Sequence, residues 1–185
     1  MAGSGDEEAT VAGLVLRVAT LDDHDAFAEL VRIYQAPVRR FLARLTRRPD
    51  LADDLAQDTF VKAYRHIGSY RGEGRFASWL LRIAYQEFVT AARRRAPVEL
   101  TLEAEPGDRG TGDRLVAALS IARAMSALRP EERAAIDLHY RHELTHVEIA
   151  GVLRLPLGTV KSLILRGRSR LKDVLTRDHD TEAGA

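Results

Sequence analysis

The chain has 185 residues, enough for one ordinary domain or two small ones, and its 45% hydrophobic and 30% charged residues favour a folded protein over a disordered one. It contains no cysteine, which excludes disulfide scaffolds, thiolate metal sites and cysteine nucleophiles, and which is consistent with a reducing compartment. The sequence shows neither a signal peptide nor a long apolar run. We therefore expect a soluble, cytoplasmic protein.

The net charge of +1 is the sum of acidic and basic segments whose charges nearly cancel. Residues 31–95 carry fourteen basic and six acidic side chains, whereas residues 1–30 carry one basic and seven acidic side chains. A second basic segment spans residues 161–177, with six basic side chains and one acidic side chain. Basic segments that coincide with helices are typical of a surface that binds a polyanion, although charge alone leaves ordinary solvated helix faces equally open.

In chain order, residues 1–19 are expected to be disordered, and residues 20–95 are predicted to form four helices. Pro37 is expected to break the first helix or to start a fresh turn, and Asp50 is expected to cap the third helix. Three glycines in residues 68–74 predict a loop before the fourth helix.

A second helical domain is predicted after a linker. Residues 96–113 are rich in acidic side chains, proline and glycine, which indicates a flexible connector. Helical spacing resumes over residues 114–177, and residues 178–185 are expected to form a tail. The predicted fold class is therefore all-α, with two small helical domains joined by an acidic linker.

The second domain contains a helix-turn-helix pattern. Thr145 and Glu148 have the spacing of a capping box, residues 154–155 can form the turn, and a second helix is predicted from residue 156 or 157 to about residue 176. At 100° per residue, one side of this second helix is apolar and the other is polar. The predicted inner side comprises Val160, Ile164, Gly167, Leu171 and Val174, and the predicted outer side comprises Lys161, Ser162, Leu165, Arg166 and Ser169. Such an outer side suits the DNA major groove, while an exposed face on a plain helical hairpin remains the alternative.

These elements together resemble a sigma factor of the extracytoplasmic-function (ECF) group, in the bacterial sigma-70 family. The resemblance covers about residues 24–177 and rests on six segments: residues 52–64 (ADDLAQDTFVKAY), 76–84 (FASWLLRIA), 93–95 (RRR), 128–133 (LRPEER), 145–150 (THVEIA) and 158–162 (GTVKS), with Tyr70 and Arg71 between the first two. It implies a sigma region 2-like helical bundle over residues 20–95 and a region 4-like helix-turn-helix domain over residues 114–177.

The resemblance also implies three sets of site residues. Core RNA polymerase would bind Asp53, Asp54, Gln57, Asp58 and Phe60. The minus-10 promoter element would be melted and bound by Ser69, Tyr70, Arg71, Arg75, Phe76, Trp79, Arg82, Arg93, Arg94 and Arg95. The minus-35 element would be read by Lys161, Ser162, Leu165, Arg166 and Arg168. The implied protein is not an enzyme, needs no cofactor, and has core polymerase, promoter DNA and an anti-sigma factor as partners.

Other interpretations of the same residues remain open. The acidic side chains of residues 53–54 could simply stabilise a helix N-terminus, and Phe76 and Trp79 could be core residues. A free-standing helix-turn-helix regulator is an alternative function, and a metal or catalytic site at His139, His142 and His146 is a weaker one. The sequence also departs from the usual family pattern, with Leu163 at a commonly basic position and Arg154 where the turn often has glycine.

Overall fold

The computed structural model describes residues 3–72, 74–94 and 121–182, and every regular element within those ranges is helical. The chain divides into two compact units, residues 1–100 and 101–185. The prediction of an all-α protein with two helical domains is therefore confirmed. The predicted linker at residues 96–113 and the predicted site residue Arg95 lie outside the described residues.

The first unit contains four helices: α1 (Gly3–Leu21), α2 (His24–Thr46), α3 (Pro49–His66) and α4 (Phe76–Arg94), with a 3-10 turn at Ile67–Ser69 before the loop that leads into α4. Helix α2 packs against the other three helices. Its side chains Phe41 and Leu42, with Leu80 from α4, are fully buried and form the centre of the core. Lys62 donates to Glu87 across 2.6 Å and ties α3 to α4.

The expectation that residues 1–19 are disordered is wrong for the described part of that segment, which forms α1. Val11, Leu14, Val15 and Val18 are buried, and their spacing of three, four and seven residues is that of one helical stripe. The acidic start of the chain concealed this stripe in the sequence. Burial of four aliphatic side chains supplies the stabilisation that such a helix lacks in isolation.

The predicted break at Pro37 is also wrong, because α2 continues through this residue. A proline inside a helix removes one amide donor, but Leu30, Val38 and Phe41 are buried on both sides of it. Packing of the continuous stripe therefore outweighs the lost hydrogen bond.

Helix α2 begins with a charged cap. The Asp23 carboxylate accepts from the Ala26 amide at 2.9 Å and from Arg17 Nη2 at 2.6 Å. The Ala26 amide, followed by the Arg17 side chain, lowers the pKa of Asp23.

Helix α3 does not use Asp50 as its cap. Arg48 occupies the cap position, Pro49 is the first helical residue, and Asp50 lies in the first turn. Proline suits this position because its missing amide would have no partner within the helix. Asp50 instead accepts from Arg48 Nη2 at 2.5 Å, and this hydrogen bond is the main cause of the lowered pKa of Asp50.

The second unit contains α5, described over residues 121–126, followed by α6 (Pro130–Tyr140), α7 (His146–Leu153) and α8 (Leu157–Glu182). Arg133 of α6 is buried and donates to the carbonyl oxygens of Met125, Ser126 and Leu128, at 2.9, 3.2 and 2.9 Å. Met125 and Ser126 lie at the end of α5, whose last carbonyls lack partners within the helix, and Leu128 lies two residues after it. The family segment LRPEER thus has a structural role in joining α5 to α6.

Helix α7 has the predicted capping box: Thr145 Oγ1 accepts from the Glu148 amide, and Glu148 Oε2 accepts from the Thr145 amide at 2.8 Å. Arg154 ends α7 with a φ of 55°, in the left-handed region that favours glycine. The predicted tail from residue 178 is wrong, since α8 runs to Glu182. The reason is that residues 168–182 contain neither glycine nor proline to stop the helix.

Candidate polymerase and nucleic-acid interfaces

The outer face of α3 carries the residues predicted to bind a polymerase. Asp53, Asp54, Gln57 and Asp58 are all exposed, whereas Leu55, Ala56 and Thr59 between them are buried in the core. Phe60 is half-buried at the edge of this face. The helix therefore brings four of the five predicted residues together on one accessible surface.

These polar residues do not have the same surroundings. Asp53 accepts a two-pronged hydrogen bond from Arg39 of α2, with 3.0 Å between Nη2 and Oδ2. Asp54, Gln57 and Asp58 form a row at helical spacing, and Val61 extends this row with 43% of its surface exposed. We call Asp54, Gln57, Asp58 and Val61 the α3 face. Val61 is not among the predicted site residues, although it lies four residues after Gln57 on the same helix.

The loop before α4 depends on two glycines. Gly72 and Gly74 have φ values of 74° and 79°, a conformation that other residues adopt only with strain. The Tyr70 hydroxyl donates to the Gly74 carbonyl at 2.7 Å, and the Ser69 hydroxyl donates to the His66 carbonyl at the same distance. Burial, followed by the nearby Glu8 carboxylate, raises the pKa of Tyr70. The hydroxyl groups of Ser69 and Tyr70 therefore stabilise this conformation of the loop.

Four aromatic rings support this loop. The ring of Phe76 lies 5.3 to 5.4 Å from the rings of Tyr34, Tyr70 and Trp79. Only 5% of Phe76 is exposed, so it acts as a core residue, and the structure does not support base stacking on its ring. Trp79 is half-buried, which leaves part of its surface accessible beside the loop.

One side of α4 is basic. Arg75, Trp79, Arg82 and Arg93 lie within about 60° of one another around the axis at 100° per residue, and all three arginines are exposed. Arg71 and Arg94 are exposed nearby in the chain. Arg75 Nε also lies 3.7 Å from the Glu8 carboxylate of α1. Arg75, Arg82 and Arg93, three of the predicted minus-10 residues, therefore form a basic surface that includes the partly exposed Trp79.

A groove of about 850 Å³ lies between α1, α2 and the glycine loop. Its walls include Val15 and Leu16 from α1, Tyr34 from α2, and Tyr70 and Arg71 from the loop. This groove was not predicted from the sequence, because one of its walls is α1, a segment expected to be disordered.

The outward face of α8 is the one predicted from periodicity. Val160, Leu163, Ile164 and Gly167 are buried, so Leu163 extends the core at a commonly basic family position. The predicted outer residues Lys161, Ser162, Leu165, Arg166 and Ser169 are all exposed, and so is Arg168. Leu165 is 69% exposed. Leu171 and Val174, predicted to lie on the inner side, are half-buried.

A buried carboxylate from α6 lies under α8. Glu132 is 1% exposed, accepts from Arg170 Nη1 at 2.7 Å, and lies 3.6 Å from Arg166 Nε. Next to these arginines, Gly167 allows a close approach, because a Cβ atom there would lie 2.8 Å from Ile136 Cγ1. Glu132 is not among the predicted site residues, since nothing in helical spacing indicates which residue of α6 contacts α8.

The histidines proposed for the metal alternative have different surroundings. The rings of His139 and His146 lie 5.1 Å apart, but His142 Nε2 lies 3.5 Å from the buried Asp137 carboxylate. Within the described residues, no three histidine, aspartate or glutamate side chains are grouped to hold a metal ion. The metal alternative therefore gains no support from this part of the chain. In the same ranges, the structure has no helix with the length and apolar character needed to cross a membrane.

Comparison with known proteins assigns the chain to a family. The model of sigma-70 region 2 matches residues 30–98, and the model of sigma-70 region 4 matches residues 118–171. The ECF RNA polymerase sigma-E factor of Haemophilus influenzae is 37% identical over 183 residues, covering 90% of this chain and 96% of that relative. The chain belongs to the ECF sigma factors. It is therefore a transcription initiation factor that works with RNA polymerase at promoters, and it is not an enzyme.

Other relatives agree with this assignment. The ECF sigma factor SigW of Bacillus subtilis is 32% identical, with 83% of this sigma factor and 90% of that relative covered. Among solved structures, the sigma factor RpoE of Bartonella quintana, in complex with the anti-sigma factor NepR, matches with a TM-score of 0.72 and 25% identity. That match covers 81% of this chain and 96% of the other. A free-standing regulator would use its first unit for sensing or dimerisation. In this chain the region 2 match covers most of that unit, which argues against the free-standing regulator.

Proposed function

We propose that this sigma factor divides its work among three surfaces. The α3 face binds core RNA polymerase, the glycine loop and the basic side of α4 bind the melted minus-10 element, and the outward face of α8 reads the minus-35 element. The observation that carries the proposal is the exposure of the polar α3 residues on the same unit as the basic, aromatic α4 surface.

The chemistry of the α3 face suits a basic protein partner. Asp54 and Asp58 provide two carboxylates one helical turn apart, Gln57 provides an amide between them, and Val61 adds an apolar contact. Charged and polar groups at an interface set orientation and association rate, while apolar contacts provide much of the affinity.

The α4 surface suits single-stranded DNA. A cationic groove that follows the backbone, with aromatic side chains for unstacked bases, is the general arrangement for such ligands. Arg71, Arg75 and Arg82 would contact phosphates, and Trp79 offers a partly exposed ring. Phe76 would act indirectly, by supporting the loop from the core.

The α8 face suits a DNA duplex. Lys161 and Arg168 would contact phosphates, while Ser162, Leu165 and Arg166 would contact base edges in the major groove. The exposed Leu165 has the chemistry to meet a thymine methyl group.

The docking proposal can be tested with a matched pair of double variants. Asp54→Arg/Gln57→Arg should weaken binding to core RNA polymerase at least about tenfold, because it places two cations against a basic partner. Asp25→Arg/Gln35→Arg makes the same chemical change at exposed positions of α2 and should leave affinity nearly unchanged. Both would be measured by fluorescence titration with core enzyme, with helical content followed by circular dichroism. Equal affinity of the two folded variants would exclude the α3 face.

Binding to DNA should depend on the polymerase. Acidic side chains in residues 1–30 offset the basic helices, so the isolated protein should bind duplex DNA weakly. Footprinting with and without core enzyme tests this point. A strong, sequence-specific footprint by the protein alone would favour the free-standing regulator.

We also propose that an anti-sigma factor restrains this protein in the cytoplasm. The proposal is supported by the match to a sigma factor solved in complex with an anti-sigma factor. A candidate inhibitor should form a stoichiometric complex with the purified chain and block its association with core enzyme. Transcription that continues with the complex intact would argue against this role.

A further inference from the structure

Glu132 is a carboxylate buried beneath the proposed recognition helix. Its Oε2 atom accepts from the Arg129 amide at 3.2 Å, which completes the N-terminal cap of α6. The same oxygen accepts from Arg170 Nη1 at 2.7 Å, and its other oxygen, Oε1, lies 3.6 Å from Arg166 Nε. Capping therefore accounts for one of three contacts, and the other two come from α8.

Burial makes the two arginines important for this carboxylate. A charge removed from water is costly unless a partner of opposite sign and good hydrogen bonds compensate for it. Arg166 and Arg170 are four residues apart, so they lie on the same side of α8 and reach Glu132 together. Gly167 lies between these arginines in the sequence, and its lack of a side chain lets α8 pack directly against Ile136 of α6.

The two arginines differ in how far they extend into solvent. The side chain of Arg170 is 38% exposed and its Nη1 atom forms the short contact, whereas the side chain of Arg166 is 56% exposed and only its Nε atom is near the carboxylate. A guanidinium group is planar and has five N–H donors. When the Nε edge faces Glu132, the two Nη groups remain for another bidentate acceptor.

We propose that Glu132 is a positioning residue for base recognition: it orients Arg166 so that the two Nη groups point at one guanine of the minus-35 element. Guanine presents two acceptors, O6 and N7, at the spacing of an arginine fork. This inference rests on the proposed reading of the minus-35 element by α8. It adds that sequence preference depends on a residue that touches no DNA.

The experiment measures base preference at every minus-35 position, using holoenzyme and a library of promoters. Arg166→Ala should lower the preference for guanine at its position by about tenfold or more. Glu132→Gln should lower preference at that same position by about threefold to tenfold, while total transcription from the best promoter falls less. Glutamine can still complete the cap, so the fold should survive. The matched control is Glu131→Gln, which changes an exposed glutamate next to it and should leave the profile unchanged.

A double variant shows whether Glu132 acts through Arg166. In the Arg166→Ala background, Glu132→Gln should have no further effect on base preference. If Glu132→Gln fails to fold, Glu132→Met/Arg170→Met replaces the buried ion pair with apolar side chains of similar size and should show the same loss of preference.

Each outcome separates this inference from the function on which it rests. A loss that is equal at all positions, or a lower melting temperature with an unchanged profile, would overturn the positioning role of Glu132 and leave base reading by Arg166 intact. An unchanged profile for Arg166→Ala would instead overturn the proposed reading by α8.

Discussion

The glycine loop before α4 and the proposed recognition helix α8 both present basic side chains, but the loop and the helix are stabilised in different ways. The loop depends on backbone conformations, with φ values of 74° and 79° at Gly72 and Gly74. Helix α8 depends on side chains, with Glu132 and Ile136 of α6 fixing its position. The surface proposed for unstacked bases and the surface proposed for a duplex are thus built by different means.

This difference predicts which changes each surface tolerates. The loop should be sensitive to residues that disfavour positive φ, even where space is available for a side chain. Helix α8 should be sensitive to buried volume and to the ion pairs with Glu132, while exposed positions without such a contact, such as Leu165, should affect DNA binding without affecting stability.

The largest effect is expected for Gly72→Ala/Gly74→Ala. A Cβ atom would meet nothing within 4 Å at either position, so the cost arises from backbone strain, about 1–2 kcal/mol per residue. Transcription from duplex promoters should fall at least about tenfold. A template with a mismatched, already open minus-10 region should restore part of this activity.

The control for the loop variant is Gly68→Ala, in the 3-10 turn. It also has open space around its Cβ position but lacks a positive φ. Its transcription should match that of the unchanged protein. A similar loss in both variants would show that backbone conformation does not distinguish this loop.

A second test uses neighbouring leucines of α8 on opposite sides of the helix. Leu163→Ser places a hydroxyl at a site that is 7% exposed and should destabilise the second unit by about 2–4 kcal/mol. Leu165→Ser changes a side chain that is 69% exposed and should lower transcription while the melting temperature stays nearly constant. Thermal unfolding and promoter assays on both variants measure the two effects. A large loss of stability in Leu165→Ser would mean that the DNA-facing side of α8 is wrongly assigned.

A smaller effect is expected at Arg154, where the second unit also has a strained backbone. Its φ of 55° favours glycine, so Arg154→Gly should stabilise the unit by about 0.5–1 kcal/mol, after the entropy cost of glycine is subtracted. Denaturant titration can resolve this gain. A net loss of stability would indicate that the Arg154 side chain contributes more than its backbone conformation costs.

The smallest effect concerns pH and the first unit. The pKa of Asp23 is lowered by the Ala26 amide and Arg17, so its contribution to stability is present above the unfolded pKa near 3.8 and is lost as pH falls through the lower folded value. Asp23→Asn keeps a capping side chain but removes the titration. The melting temperatures of the two proteins should therefore converge as the pH falls through about 3.8 and then below the lower pKa that Asp23 has in the folded protein. A constant difference would rule out Asp23 as a source of acid sensitivity.

The sequence predicted the elements that repeat with helical spacing and missed those that depend on contact between helices. The capping box at Thr145, the outward side of α8 and its inward side from Val160 to Gly167 follow from local spacing, and the structure has all three. The role of Glu132 depends on the contact between α6 and α8, and the groove beside α1 depends on the contact between α1 and α2. Local spacing carries no information about which helices are in contact. Pro37 was misjudged for the same reason, since only tertiary packing explains a continuous α2.

The close approach of Gly167 to Ile136 limits how promoter preference can be exchanged between related proteins. A recognition helix transplanted from a relative with a larger residue at this position would meet the Ile136 side chain, because even a Cβ atom would lie 2.8 Å from Cγ1. A successful chimera would therefore need a smaller residue at position 136 as well. In this chain, α6 and α8 would have to be exchanged together, because the position of the exposed α8 residues depends on the contact between these two helices.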